Sequence, residues 1–539
     1  MLSYSRYFVV EIAHASLCPL GHGSWHRICS KTEQINKAKV IDFAHDLLQI
    51  YMSIRTNLSE EQIIQFSFLS EGQKIRIYSE TLEVLQYTGV DVHHPHARYL
   101  LSENGCPRKG ERIYIPSQLV KWALSRVPPI TTIHSWDGSN RLRIENGRTY
   151  FGPGPTCPNF IDPKTGEKRK YKREDASTVA RVCDALPEIG FTMSLGSIND
   201  VTDGLEEIYE FADMIQNTTK PVTAWCFTKE HCRDIHNIAA AIAGGEEKFK
   251  HRPNYIFYNE PISPLTCDFN ALDKLIYCAE NQIPQIFAPA NTGGATVPAT
   301  HASHLVITLA ESLTGAVLSQ LVKPGSCIII GGTQSILDMR RMTFSYGAPE
   351  LNILGAGLSE ISEYLGLPVF SAAGCSDSKV LDPQAAIEAN MSINSAMLSG
   401  ANLVHDVGFL NSGMTGSLPL LVMANEIISM SRYITQGISI TEETLAEEVI
   451  NEIGPGGNYK NHEHTKKMSQ TFWQSKLLKG NPEELESSRS KSLKERVSDQ
   501  TRSIIDKHPG PRDKISNVVR EQINSILDAA EKKRKNNSP

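Results

Sequence analysis

Short apolar runs alternate with longer helix-like stretches over most of this chain. Most neighbouring runs are separated by about 25–45 residues, which is enough for a loop, a helix and a return to the next strand. A closed (β/α)8 barrel requires eight parallel strands, and wholly apolar runs suit strands that are buried on both faces. A doubly wound open sheet gives the same alternation, but the count of eight favours the barrel. The eight runs are Thr149–Gly152, Phe191–Leu195, Val222–Cys226, Tyr255–Tyr258, Gln285–Ala288, Cys327–Ile330, Val369–Ala372 and Leu403–Val407.

The segments that flank these runs have a different pattern. Apolar residues at helical spacing predict an N-terminal helical region over 36–145, and the same spacing returns over 413–485. The barrel is predicted over 146–412. Residues 1–35 are interpreted as a poorly structured extension, and residues 486–539 as a charged, solvated tail. The sequence therefore predicts an α/β fold, a (β/α)8 TIM barrel with N-terminal and C-terminal helical extensions.

Composition excludes several classes of protein. The chain has 539 residues, 40% of them hydrophobic, and a net charge of −6 from 54 Lys and Arg against 60 Asp and Glu. These values are typical of a globular protein and give no electrostatic case for nucleic acid as the ligand. The 11 cysteines include no C-x-x-C pair, which indicates reduced thiols and a cytoplasmic protein. No uninterrupted apolar stretch reaches the roughly 18 residues of a membrane span.

Standard cofactor motifs are absent from the sequence. There is no G-x-x-x-x-G-K-[ST] phosphate loop, no G-x-G-x-x-G after the first strand, and no Cys/His set with zinc spacing. His93, His94 and His96 could bind a metal, but they lie away from the strand ends, and a solvent-exposed turn explains them more simply. We expect no bound metal and no tightly bound cofactor.

The C-terminal ends of the strands carry polar residues, and active sites of barrels lie at those ends. Strand four runs into Tyr258-Asn259-Glu260-Pro261, strand five is followed by Asn291, and strand six by Gly331-Gly332-Thr333-Gln334. Asp377 and Lys379 follow strand seven, and His405-Asp406 end strand eight. These loops predict the position of the site.

Motifs at these ends and around them resemble those of the trimethylamine/glycine betaine corrinoid methyltransferase family. The resemblance covers about residues 35–480, and its motifs occur in order along the barrel. It is carried by Arg148-Thr149-Tyr150-Phe151-Gly152-Pro153-Gly154, Glu260-Pro261-Ile262-Ser263-Pro264-Leu265, Asp338-Met339-Arg340, Gly347-Ala348-Pro349-Glu350, Gly366-Leu367-Pro368, Ala373-Gly374-Cys375-Ser376-Asp377-Ser378-Lys379 and Gly454-Pro455-Gly456-Gly457-Asn458.

The resemblance implies a barrel that moves a methyl group from a methylated amine to the Co(I) of a separate, cognate corrinoid protein. The corrinoid (cobalamin) is then supplied by the partner, and no residue of this chain acts as the nucleophile. Trimethylamine enzymes of this family carry pyrrolysine, whereas this chain has only the twenty standard residues. It is therefore similar to the non-pyrrolysine branch, whose substrates are quaternary amines such as glycine betaine. We also expect a homo-oligomer.

A pocket for a quaternary ammonium needs aromatic faces and negative charge, and a betaine carboxylate needs a cation. The alternative is that the aromatic residues pack the barrel core and that the acids cap loops. The candidate substrate-binding residues are Phe151, Trp225, Tyr258, Glu260, Asn291, Gln334, Arg340, Tyr346, Glu350, Asp377, Lys379, His405 and Asp406, with Arg340, Lys379 and His405 as candidates for the carboxylate.

Three other functions remain open from the sequence. Trimethylamine is the alternative substrate within the family. A corrinoid-independent TIM-barrel lyase or isomerase could use Asp377, Lys379 and Asp406 in acid/base chemistry. A non-catalytic member could bind a quaternary amine without turnover.

Overall fold

A seven-stranded parallel sheet lies at the centre of the fold. The computed structural model of the protein describes residues 66–478 and 491–537, so the interpretation of residues 1–35 lies outside it. Each pair of neighbours in the sheet is parallel, and seven of the eight predicted apolar runs are confirmed as its strands. From one edge to the other the strands are Tyr150–Phe151, Leu403–His405, Val369–Ala372, Ile328–Gly331, Gln285–Phe287, Tyr255–Asn259 and Val222–Ala224.

The remaining run, Phe191–Leu195, was predicted as the second of the eight strands, and this prediction is wrong, because the segment does not form a continuous strand. The segment makes two isolated parallel bridges instead, from Ile189 to Phe151 and from Thr192 to Val222. Leu195 has a φ of 63°, in the left-handed region, which ends the extended backbone there. The sheet is therefore curled, and this buried segment contacts both of its edge strands.

Helices follow the strands and cover the outside of the sheet. Several begin at a side chain that caps the free backbone N–H groups of the first turn, as Thr228, Asp268 and Ser417 do. These helices are Arg173–Ala185, Glu206–Asn217, Lys229–Ala243, Glu246–His251, Phe269–Glu280, His301–Val322, Pro349–Tyr364, Pro383–Leu398 and Leu418–Thr435.

Helix His301–Val322 is apolar along most of its length. By length and composition it is the one helix in the described part of the chain that could cross a membrane. Its most apolar stretch is 78% buried inside the protein, which is typical of a core helix.

The region before the barrel is mixed rather than helical, so the prediction for 36–145 is corrected over its described part. Short antiparallel pairs form there, and Arg141–Ile144 alternates exposed and buried residues as a half-buried strand does. Runs this short give too weak a periodicity to be recognised. The elements are helices Glu71–Glu83, Pro95–Glu103 and Ser117–Leu124, π-helix Val84–Thr88, and strands Val90–Val92, Arg108–Lys109, Arg112–Ile113, Thr131–His134 and Arg141–Ile144.

The loops that follow the sheet strands contain short strands, and these form small additional sheets around the C-terminal edge of the central sheet. Their strands are only two to six residues long, and they fix the loops that surround the site. These strands are Asn159–Ile161, Lys168–Lys170, Thr266–Cys267, Ala290–Gly293, Thr333–Asp338, Thr343–Phe344, Phe409–Leu410 and Thr415–Gly416.

The charged tail is folded, which corrects the expectation of a solvated end. Val497 and Thr501 are buried one turn apart, and Ile523 and Leu527 repeat that spacing in the last helix. So narrow an apolar stripe gives only a weak helical pattern in a sequence that is rich in charged residues. The elements after residue 435 are helices Glu442–Leu445, Glu447–Ile453, Glu463–Met468, Leu493–Lys507 and Asn517–Asn537, with 3-10 turns Ser469–Thr471 and Arg512–Lys514.

The last helix is fixed by polar contacts as well, to helix Glu206–Asn217 and to the loop before it. The carboxylate of Glu531 accepts hydrogen bonds from Thr202 Oγ1 at 2.9 Å and from Tyr209 Oη at 3.0 Å. Its buried residues belong to the same apolar cluster as Phe211, Val222 and Phe257. The tail therefore forms part of the core behind this side of the sheet.

Candidate active site

A cavity of about 640 Å³ opens at the C-terminal edge of the sheet. It lies where strands Val222–Ala224, Tyr255–Asn259 and Leu403–His405 end, and the start of helix Phe269–Glu280 forms one side. Its aromatic lining residues are Trp225, Phe227, Tyr258, Tyr346 and Phe409, and its charged or titratable ones are Glu260, Asp268, Lys274, His405 and Asp406.

The first acidic group is Glu260, which pairs with Tyr258. The Tyr258 hydroxyl donates a hydrogen bond of 2.5 Å to Glu260 Oε2. Glu260 lines the cavity and is exposed to solvent there, although neighbouring protein atoms crowd its carboxylate. Desolvation by these atoms raises the pKa of Glu260, and the hydrogen bond from Tyr258 partly opposes that shift. A cation in the cavity would favour the ionised carboxylate.

The second acidic group is Asp406, which pairs with its neighbour. His405 Nδ1 lies 2.6 Å from Asp406 Oδ1, and both side chains are almost fully buried. The other ring nitrogen, Nε2, lies 3.0 Å from Thr333 Oγ1. The imidazole stacks on Phe370 with the ring centroids 4.2 Å apart and the planes 10° from parallel. These contacts hold the ring in one orientation.

The position of Asp406 requires a glycine at residue 154, after the first strand. The φ of Asp406 is 71°, in the left-handed region, so the backbone turns sharply at this residue. A Cβ added at Gly154 would lie 2.0 Å from Asp406 Oδ1 and 2.5 Å from the ring of Phe409. The Gly152-Pro153-Gly154 motif therefore leaves room for the Asp406 carboxylate.

Two pairs of packed aromatic residues line the cavity together with the acidic groups. Trp225 and Phe227 pack edge to face with ring centroids 5.2 Å apart. Tyr346 and Phe409 also pack edge to face, with ring centroids 6.0 Å apart and an angle of 89° between the ring planes. Burial and the charge of Asp406 raise the pKa of the Tyr346 phenol, so this residue stays neutral. Together the walls and carboxylates suit a small cation.

Six of the predicted site residues line this cavity, and seven do not. Those that line it come from the ends of three sheet strands and from the loop before helix Pro349–Tyr364. The six are Trp225, Tyr258, Glu260, Tyr346, His405 and Asp406. The seven outside its lining are Phe151, Asn291, Gln334, Arg340, Glu350, Asp377 and Lys379.

Three of the seven are buried in the protein. Phe151 is a fully buried core residue, which is the alternative that the sequence left open for it. Asn291 donates hydrogen bonds to Thr308 Oγ1 at 2.8 Å and to Glu311 Oε2 at 3.1 Å, on helix His301–Val322. Gln334 is also buried, on the strand Thr333–Asp338.

The other four lie in the loops and on the surface. Asp377 accepts hydrogen bonds from Ser345 Oγ, from the Tyr346 backbone N–H and from Ser412 Oγ. Arg340 and Lys379 are exposed outside the cavity, so neither is placed to bind a carboxylate within it. Glu350 lies in the first turn of helix Pro349–Tyr364.

Further lining residues are not among the predicted substrate-binding residues: Thr333, which lies in a predicted strand-end loop, and Phe227, Asp268, Lys274 and Phe409. Lys274 carries the clearest overlooked signal, because Ala271, Lys274 and Cys278 share one face of helix Phe269–Glu280 and all three are buried. A lysine on the buried face of an amphipathic helix is uncommon and indicates a polar neighbour inside the fold.

The histidine cluster has a structural role. The ring of His94 accepts a hydrogen bond from the Ala97 N–H and caps helix Pro95–Glu103, and His93 pairs with Glu111 at 2.7 Å. Within residues 66–478 and 491–537, no group of three or more His, Cys, Asp or Glu side chains is arranged to hold a metal ion.

Comparison with known proteins bears on the chemistry of this cavity. A family model described as "Trimethylamine methyltransferase (MTTB)" matches residues 49–537. The chain belongs to this family. Its members include the trimethylamine methyltransferase MttB of Desulfitobacterium hafniense, which is 32% identical over 411 residues, covering 76% of this chain and 83% of that protein. The protein is thus a methyltransferase enzyme.

The chain is also similar to other methyltransferases. A glycine betaine methyltransferase of Desulfitobacterium hafniense is 30% identical over 407 residues, covering 75% of this chain and 84% of that protein. The trimethylamine methyltransferase MttB of Methanosarcina barkeri is 32% identical over 410 residues, covering 74% and 81%. The crystal structure of the Methanosarcina barkeri monomethylamine methyltransferase aligns with a TM-score of 0.49 at 12% identity, covering 85% of this chain and 92% of that one.

Proposed function

We propose that the protein transfers a methyl group from a quaternary amine such as glycine betaine to the Co(I) of a separate corrinoid protein. The observation that carries this proposal is the cavity in which aromatic walls enclose Glu260 and Asp406. Membership of a methyltransferase family whose members are named for trimethylamine and for glycine betaine supports it.

The cavity suits a cation that cannot donate hydrogen bonds. A quaternary ammonium spreads its charge over methyl groups, and each aromatic face contributes about 0.5–2 kcal/mol to its binding. The carboxylates of Glu260 and Asp406 supply the opposite charge in a setting of low polarity, where attraction is stronger than in water. No general acid is needed, because the amine that leaves is a neutral tertiary amine.

The residues of this chain bind the amine, orient it and exclude water. The corrinoid of the partner, when it is bound, supplies the Co(I) nucleophile. Phe227 and Ile262 line the cavity and are 65% and 54% exposed, so the cavity reaches the surface beside them. That opening is where we expect the partner protein to approach the methyl group.

The proposal extends to the fold. We propose that residues 189–195 act as the eighth strand of a closed (β/α)8 barrel. The parallel bridges from Ile189 to Phe151 and from Thr192 to Val222 support this closure, because they join the two edge strands of the sheet through one segment. A closed barrel in the cytoplasm remains the architecture that we expect.

A second candidate substrate is trimethylamine, and the 32% identity with the MttB relatives favours it. Protonated trimethylamine is also a small cation, so the same walls and carboxylates suit it. A corrinoid-independent lyase or isomerase is not favoured, because Asp406 alone of its three acid/base candidates lines the cavity, whereas Asp377 and Lys379 lie outside the lining.

The test is methylation of free cob(I)alamin by the purified protein, followed by the change in the cobalamin spectrum. We expect glycine betaine to be the best donor in a panel that also contains trimethylamine, choline and tetramethylammonium. Methylation from trimethylamine alone would support the second candidate. Binding of these amines without any methylation would indicate a non-catalytic member and would overturn the proposal.

A further inference from the structure

Lys274 is a buried cation in the wall of the cavity. It lies in the second turn of helix Phe269–Glu280, and only 8% of the residue is exposed. Among the lining residues it is the one Lys or Arg. Taking an ammonium group out of water is costly, so a buried lysine usually has a compensating acceptor or anion.

The protein supplies only part of that compensation. Lys274 Nζ donates one hydrogen bond of 2.6 Å, to the backbone carbonyl of Cys226, and it lies 6.0 Å from the centre of the Phe257 ring. An ammonium has three protons to donate. Throughout the described part of the chain, no carboxylate lies within 4.0 Å of this nitrogen as an ion-pair partner.

The acids nearest to Lys274 are engaged elsewhere. Glu260 is close enough for the charge of Lys274 to lower its pKa, but its carboxylate accepts the hydrogen bond of Tyr258. Asp268 caps the helix by accepting from the N–H groups of Asn270 and Ala271. The positive charge of Lys274 therefore faces the cavity without a dedicated carboxylate.

We propose that Lys274 binds the carboxylate of the substrate, so that the cavity accepts a zwitterion in preference to a simple cation. The assignment rests on the proposed function and narrows it to amines that also carry a carboxylate. The N-methylated ammonium lies between the aromatic walls and the two acids, and the carboxylate lies against Lys274. This fixed pairing of both charges orients the amine in the cavity.

Lys274 takes the role of carboxylate partner that the sequence predicts for Arg340, Lys379 or His405. Arg340 and Lys379 were expected to bind this carboxylate, and both are exposed outside the cavity. Lys274 is nine-tenths buried, where a charge-assisted hydrogen bond is less weakened by competing water. His405, the third expected partner, remains at the cavity wall but is held by Asp406 and Thr333.

The test is calorimetric binding of glycine betaine and of choline to the full chain without any corrinoid. Choline has the same trimethylammonium group and carries a hydroxyl in place of the carboxylate. We expect K274M to weaken glycine betaine binding by about ten- to hundredfold and to change choline binding by less than about threefold. K274R, which keeps the charge, should retain more betaine affinity than K274M.

The matched control is K229M. Lys229 lies at the start of the neighbouring helix, is paired with Asp273 at 2.9 Å and does not line the cavity. We expect its removal to change neither affinity. If K274M does not fold, the wild-type preference for glycine betaine over choline and its reduction in K274R still test the assignment.

The outcomes separate this assignment from the proposed function. Equal affinities of the wild type and K274M for glycine betaine, or a wild type that prefers choline, would overturn the role of Lys274 and leave methyl transfer intact. Lysine-dependent betaine binding with no methylation of cobalamin would uphold the carboxylate site and overturn the methyltransferase reaction. A wild type that binds neither ligand contradicts both.

Discussion

Two groups of polar residues follow the strands of this protein, and only one group faces the cavity. Glu260 and Asp406 line it beside Tyr258 and His405, whereas Asn291 and Asp377 hold other parts of the chain. All four of these acids and amides occupy the same kind of position, within five residues after a strand of the central sheet. The difference lies in their neighbours, because loops and helices fill the hydrogen-bonding positions of the second group. A strand end therefore locates a site without saying which side chains belong to it.

The largest effect is expected for E260Q. The substitution keeps the shape of the side chain and a hydrogen-bond acceptor for Tyr258, and it removes one negative charge from the cavity. We expect kcat/KM for methyl transfer to fall by about a hundredfold or more, with the free energy of unfolding changed by less than about 1 kcal/mol. Initial rates and urea denaturation measure the two quantities. A loss of activity below threefold would remove Glu260 from the site.

The same carboxylate predicts a pH dependence. Desolvation by the surrounding protein raises the pKa of Glu260, so the group takes up a proton at a higher pH than a fully solvated glutamate does. The amine cation binds the ionised form, and its affinity should therefore fall as the pH is lowered through this raised pKa, by up to about tenfold per pH unit. The amine affinity of E260Q should not show this decrease at low pH, because a glutamine side chain does not ionise. Calorimetric titrations across the pH range compare the two proteins, and parallel curves would contradict the assignment.

A substitution in the second group should have the opposite profile. N291A removes the amide that donates to Thr308 and Glu311 and leaves these buried oxygens without that donor. We expect the free energy of unfolding to fall by about 1–3 kcal/mol, and the amine affinity to stay within about threefold of wild type. Denaturation and calorimetry on the same preparation provide the comparison. A large loss of affinity at unchanged stability would place Asn291 in the substrate site.

The smallest effects are expected for R340A and K379A. Both side chains are exposed and lie outside the cavity lining, although both occur in family-like motifs. We expect KM to change by less than about twofold and stability by less than about 0.5 kcal/mol. A tenfold rise of KM for glycine betaine in either variant would show that a loop brings that cation to the substrate.

The sequence predicted the parts of the fold that have strong local signals. Ile328, Ile329 and Ile330 identify a strand because a short β-branched run that is followed by two glycines is typical of a buried strand. Strand Arg141–Ile144, in contrast, is too short for its alternation to be recognised. The packing of the last helix is not predicted, because the few apolar residues around Ile523 and Leu527 stand in a segment dominated by charged and polar residues. The periodicity of apolar residues cannot predict an element that packs through only a few of them.

The site was predictable to a similar extent. Glu260 and Asp406 could be found because they end strands, and Trp225 because it ends a third one. Lys274 could not be found in this way, since it reaches the cavity from a helix. Its position depends on how helix Phe269–Glu280 packs against the end of strand Val222–Ala224, which is a property of tertiary structure.

The folded tail has a consequence for how the protein is made. Ile515, Ile523, Leu527 and Ala530 complete the apolar cluster behind strand Val222–Ala224, which leads into Trp225. A chain emerges from the ribosome from its N-terminus, and the early segments fold first. The apolar cluster behind this strand is therefore completed only once residues 515–530 have been synthesised. A chain that is cut before residue 515 would lose this support behind the wall that carries Trp225, although no residue of the cavity lining would be missing.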